Sequence, residues 1–165
     1  MEMISNEEKI TQAVLVSVDT GDYDAEASLA ELKELVKSAG AKPVFTVTQN
    51  LKRPETGTYV GTGKLQEIAD ICKQQEIDLL VFDCELSPTQ IRNIEAETDT
   101  RTIDRTMLIL DIFALRARSK EGKLQVELAQ LKYLMPRLTG KGVAMSRLGG
   151  GIGTRGPGET KLETD

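Results

Sequence analysis

Histidine and tryptophan are absent from the 165 residues, cysteine occurs twice, and aromatic residues make up 4% of the chain. Without histidine there is no imidazole base and no His-ligated metal site. Two cysteines cannot form a disulfide framework. Cys72 and Cys84 lie in apolar or strand-like surroundings and read as reduced, buried side chains of a cytoplasmic protein. No apolar run approaches the ~18 residues of a membrane span, and the polar start Met1-Glu8 is not a signal peptide. A cytoplasmic location with no membrane partner is therefore expected. Positive charge is scarce in the first part of the chain: residues 1–100 carry 9 Lys and Arg against 19 Asp and Glu. Residues 101–165 reverse the balance with 12 against 7, giving the net charge of -5. A basic third on an acidic globule points to a polyanion met by one end of the molecule.

What is present is a strand–helix alternation over the first hundred residues. Ala13–Asp19 is a near-continuous apolar run, the pattern of a parallel strand covered on both faces. Asp24 can cap a helix from Ala25 to Ala39, with Leu29, Leu32 and Val36 at helical spacing and Gly40 ending it. Val44–Thr48 reads as a second strand, Lys64–Gln75 as a helix, Ile77–Asp83 as a third strand. Ser87-Pro88-Thr89-Gln90 is a capping box with proline at the first helical position, and Arg101–Asp104 is a short fourth strand. Parallel strands need crossovers, so the expected fold class is α/β, a small parallel four-stranded sheet flanked by helices, in the order 2-1-3-4.

From Arg105 the period changes. Leu108, Ile112 and Leu115, then Leu124, Leu128, Leu131, Met135 and Leu138, follow spacings of four and three, a heptad seam. Ser119–Gly122 is a joint where the stripe changes phase, so one bent helix or two are both compatible with the pattern. Unbroken, the helix would be a stalk of roughly 45–50 Å. The expected division is a lobe over residues 1–104, then residues 105–165 as a long helix, a glycine-rich segment and the start of a second helix. That second helix, Glu159–Asp165, is expected to be cut short, which makes the chain a piece of a longer protein with a truncated antiparallel hairpin.

The densest chemical signal is Gly149-Gly150-Gly151-Ile152-Gly153-Thr154-Arg155-Gly156, followed by Lys161. Such backbone adopts φ > 0 freely at a high ordering entropy, which suits amides that must approach phosphate or RNA closely. Gly151–Gly156 matches a dinucleotide fingerprint in letters only, because it does not join a strand to a helix. Gly57–Leu65 fails as a phosphate loop: Thr58 stands where the first glycine belongs and Leu65 where Mg²⁺ needs Ser or Thr. The helix start at Gly61-Thr62-Gly63-Lys64 remains a generic anion site. With Lys52, Arg53, Tyr59 and Lys64 there, and Lys141 and Arg147 downstream, secondary contacts to an RNA backbone are expected. An alternative from another class uses Asp19, Asp83 and Asp104, each ending a strand, as a Mg²⁺ or nucleotide site of an enzyme lobe. A third is a scaffold whose exposed seam pairs with another helix.

Several of these segments together resemble the HflX family of translational GTPases. They are Tyr59–Lys64, Glu85–Gln90, Ile103–Thr106, Leu108–Ala114, Gly122–Leu131 and, above all, Gly150–Asp165. The resemblance covers the family's N-terminal region, so this chain by itself is expected not to be an enzyme, and GTP and Mg²⁺ are expected in a G domain outside it. No cofactor is expected within it, and no motif supports an ATP-related activity. The resemblance implies binding to the 50S ribosomal subunit and its 23S rRNA, with ribosome splitting or rescue under stress. It also implies a hairpin tip, here Gly149–Glu159, that reaches toward the peptidyl-transferase centre. A monomer is expected, with artificial self-association through Leu124, Leu128 and Leu131 as a side effect of an uncovered seam.

Overall fold

The computed structural model describes residues 9–138. Four strands, β1 (Gln12–Asp19), β2 (Lys42–Asn50), β3 (Leu79–Phe82) and β4 (Arg101–Asp104), form one parallel sheet in the order β2-β1-β3-β4. This is the expected order. Residues 13–18 of β1 and all four of β3 are buried, as near-continuous apolar runs between two helical layers demand. β2 lies at an edge, where Pro43 is tolerated because no further strand asks for its missing N–H.

Helices α1 (Ala25–Ser38), α2 (Thr62–Gln74) and α3 (Pro88–Thr98) make the crossovers. Asp24 caps α1 by accepting from the Ala27 amide at 3.0 Å, and Gly40 leaves it with φ +92°. The Ser87–Gln90 capping box forms in both directions, at 3.1 and 2.9 Å. β1 connects outward to β2, whereas β3 connects the other way to β4. The sheet is therefore doubly wound, with its switch point at the carboxyl ends of β1 and β3. α2 packs beside α3, and α1 packs beside α4 (Arg105–Arg116), which follows β4 without a gap.

Of the two alternatives for the long helix, the observed one is two helices. α4 stops at Arg116, and α5 (Lys120–Leu134) starts after a three-residue link, Ala117 to Ser119. The Ser119 hydroxyl accepts from the Gly122 amide at 2.9 Å, so the joint is a capped helix start and not a bend. α5 runs back along α4: Gln130 donates to Asp111 at 3.0 Å and Tyr133 reaches Asp104 at the foot of α4. The 45–50 Å stalk is thus absent, and Leu138, after a 3-10 turn at Met135–Arg137, lies on the lobe side of the helix pair. The physical reason is on α4 itself. Met107, Leu108 and Ile112 are buried in the sheet's core, and burying side chains of that size is worth ~1.5–3 kcal/mol each. The heptad seam of α5 is left exposed instead, with Leu124, Leu128, Leu131 and Met135 at 52–63%.

Candidate functional site

The carboxyl ends of the strands gather the three aspartates that the sequence offered as a metal or nucleotide site, and each has a separate occupation. Asp19 accepts from the Gly21 amide at 2.9 Å, turning the chain after β1. Asp83 is buried; it accepts from the Ser28 hydroxyl at 2.7 Å and pairs with Arg105 at 2.6 Å. Arg105 also pairs with Glu31 on α1. Burial alone would lower the pKa of this guanidinium, but the hydrogen bond and charge of Asp83, then those of Glu31, hold it above its usual value. Asp104 and Arg105, though adjacent, do not pair with each other; Arg105 takes Asp83 and Glu31 instead. Successive residues leave a strand on opposite faces, and Arg105 turns to the α1 side.

Asp104 is fully buried and serves three donors. It caps α4 by accepting from Met107 at 2.9 Å, holds the Leu86 amide at 2.9 Å, and receives the Tyr133 hydroxyl at 2.6 Å. Arg137 lies 3.8 Å above the Tyr133 ring and donates to the Leu86 and Tyr133 carbonyls, both at 3.0 Å. These contacts clamp the end of α5 to the lobe. Among the described residues no three acidic or cysteine side chains converge as metal ligands. Ser17, buried in β1, is the one side-chain hydroxyl there without a hydrogen-bond partner among the described residues.

The cationic residues expected at RNA lie around the loop from β2 to α2. Lys52 and Arg53 are exposed, and Lys52 joins Asp19, Thr20, Gly21, Asn50 and Leu51 around an open cleft of about 410 Å³. Tyr59 has φ 65° and closes a small loop through paired backbone bonds with Glu55, both 3.0 Å. α3 staples this loop, Gln90 to the Glu55 carbonyl and Asn93 to the Gly57 carbonyl. The Tyr59 ring meets Phe82 edge-on at 6.1 Å. Burial first, then the Cys84 contact, pushes this phenol up, so the ring belongs to the packing as much as to the surface. Lys64 sits in the first turn of α2, 3.4 Å from Glu67, after a cap at Gly61 whose amide is held by Gln49 at 2.9 Å. Gly149, Gly150, Gly151, Ile152, Gly153, Thr154, Arg155, Gly156, Lys161, Lys141 and Arg147 lie outside the described residues.

The clamp of Asp104, Tyr133 and Arg137 and the Asp83–Arg105–Glu31 pair were not read from the sequence. The signal available was position: an acidic and a basic residue at the junction of a buried strand and the next helix, where side chains on both sheet faces meet helices.

Two family models match the chain in tandem. One, described as "GTP-binding GTPase N-terminal", covers residues 26–114, and the other, "GTP-binding GTPase Middle Region", covers residues 116–165. The proteins called GTPase HflX of Alkalihalophilus pseudofirmus and of Escherichia coli are 57% and 52% identical to the chain over 94% and 93% of its length. The chain spans only 37% and 36% of those two relatives. The crystal structure of a GTP-binding protein from Sulfolobus solfataricus in complex with GDP superposes with a TM-score of 0.57 at 34% identity, covering 78% of this chain and 38% of that one. A complex of SsGBP and GDP gives 0.61 at 30% identity, over 94% and 43%.

Proposed function

The chain belongs to the HflX family of GTPases, whose N-terminal and middle regions it matches, and we propose that it is a ribosome-binding module of such a GTPase. In this reading the α/β lobe rests on the 50S subunit and the glycine-rich segment Gly149–Gly156, with Arg155 and Lys161, reaches 23S rRNA near the peptidyl-transferase centre. Glycines fit such a confined cavity because side chains would clash and because backbone amides must face phosphate. The module acts in the cytoplasm, in ribosome splitting or rescue under stress. GTP hydrolysis, with Mg²⁺, belongs to a nucleotide-binding domain of the whole protein, and the chain itself supplies binding and not catalysis.

The observation that carries the reading is the charge reversal, 12 basic against 7 acidic residues after position 100, coupled to the glycine run in that same basic part. The commitment of Asp19, Asp83 and Asp104 to structural partners weighs against the enzyme-lobe alternative. Co-sedimentation with 50S subunits over a salt series tests the proposal. Wild type should bind with a steep salt dependence, and a Gly151→Val, Arg155→Ala variant should lose most binding. Equal retention of the two proteins would remove the glycine segment from the mechanism.

A further inference from the structure

The link between α4 and α5 concentrates positive charge. Arg116, Arg118, Lys120 and Lys123 fall within eight residues, all exposed, and Glu121 is the one carboxylate between Ile112 and Val126. None of the four forms an ion pair among the described residues. Phe113 and Leu115 stand beside them, 55% and 41% exposed.

Helix stability accounts for Arg116, in the last turn of α4 where the dipole favours cations, and not for the rest of the cluster. Lys120 opens α5 and Lys123 lies a turn further on, at the end where the helix dipole favours acids and disfavours cations. Local repulsion among four uncompensated cations adds to the cost. A polyanion placed against the turn would relieve both.

We propose that the α4–α5 turn is a second RNA-contacting surface, separate from the glycine-rich segment, in which Arg116, Arg118, Lys120 and Lys123 meet phosphates and Phe113 stacks on an unpaired base. It rests on the reading of the chain as an rRNA-binding module. The fold holds the turn apart from Leu138, where the described residues end. The clamp at Asp104, Tyr133 and Arg137 anchors one end of α5 to the lobe, and the cationic turn lies at its other end, 15 residues or about 22 Å away. A lipid headgroup layer fits less well. Surface-bound helices carry cations along one face beside a broad apolar stripe, whereas here the charges sit at the junction of two helices. The α5 stripe of Leu124, Leu128 and Leu131 leads away from it toward the lobe.

The test uses the 165-residue chain and purified 50S subunits over a salt series. An Arg118→Gln, Lys120→Gln, Lys123→Gln variant should bind about tenfold or more weakly at low salt, with the slope of log affinity against log salt shallower by about 2–3. Phe113→Ala should weaken binding and leave the slope unchanged. Thermal unfolding followed by circular dichroism should show the triple variant folded, with a melting temperature equal to or above wild type. Arg155→Ala serves as the comparator. If it weakens binding while the triple variant keeps wild-type affinity and slope, the turn is no RNA surface and the module reading survives. If wild type itself fails to bind, both readings fall. Retained 50S binding with lost binding to phosphatidylcholine–phosphatidylglycerol vesicles would assign the turn to lipid and overturn the inference.

Discussion

Asp104 has no solvent exposure, yet it carries a carboxylate that three donors approach within 2.9 Å. A buried acceptor of this kind is strong only while every donor stays in place. Tyr133→Phe removes one of them and should lower unfolding stability by about 1.5–3 kcal/mol, the range for a hydrogen bond to a charged group. Asp104→Ala strands two amides and a phenol and should lower it by ~3–5 kcal/mol. In the Asp104→Ala background the Tyr133→Phe effect should shrink to a few tenths of a kcal/mol, because the pair acts as a unit. Urea unfolding of the four proteins measures the cycle, and additive losses would show that Tyr133 is held by something other than Asp104. The sequence pointed to Asp104 only as a strand end. Its partners are 18 and 29 residues away along the chain, and no local pattern encodes them. Alkaline pH probes the same level of detail. Burial pushes up the Cys84 thiol, burial and then the neighbouring Cys84 push up the Tyr59 phenol, and burial and then the hydrogen bond to Asp104 push up the Tyr133 phenol. The unfolded chain therefore releases these protons first, from about pH 8.5 for the thiol and about pH 10 for the phenols. Stability contributed by the neutral groups is complete below those values and declines as pH rises through them toward the higher folded values. Melting temperatures between pH 7 and 11 should fall above about pH 8.5, and Cys84→Ala should flatten the first part of that fall. A melting temperature that holds to pH 11 would contradict the burial of all three groups.

Elements were legible wherever local chemistry and burial agreed. β3 is apolar throughout and β1 nearly so, and both lie at the centre of the sheet; α1 and α3 begin where Asp24 and Ser87 offer caps. Crossover handedness left several strand orders open; the pairing of β1 between β2 and β3 is what selects 2-1-3-4. The α4–α5 pair was legible only as a joint, because one heptad pattern serves two purposes. On α4 its residues Leu108 and Ile112 enter the sheet's core, while on α5 Leu124, Leu128 and Leu131 face outward. Periodicity shows that a face is apolar and does not show which neighbour covers it. The exposed α5 stripe has a consequence in dilute solution. Sedimentation velocity should show weak self-association growing with concentration, and Leu128→Glu with Leu131→Glu should abolish it without lowering the melting temperature, since both side chains are about half exposed. A tight dimer at micromolar concentration would instead favour the scaffold reading. Concentration-independent monomer in both proteins would show that the stripe does not drive association.

For the whole molecule the decisive relation is between an acidic lobe and a basic remainder. Of the 12 basic residues after position 100, four lie at or beyond Lys141, outside the described residues: Lys141, Arg147, Arg155 and Lys161. The other eight belong to β4, α4, the α4–α5 turn, α5 and the turn after it. A chain ending at Leu138 keeps the sheet, both helical layers and the clamp at Asp104, so its melting temperature should lie within a few degrees of the full chain. Its net charge becomes more negative, since removing residues 139–165 deletes four cations and the three acids Glu159, Glu163 and Asp165. If the glycine segment supplies most of the affinity, this shortened chain should bind 50S subunits at least tenfold more weakly, with a salt slope reduced by about 3–4 for the four lost cations. A residual slope would then report the α4–α5 turn and the Lys52–Arg53 loop. Binding equal to that of the full chain would mean that the lobe and helix pair carry the contact alone, and the role assigned to Gly149–Gly156 would have to be abandoned.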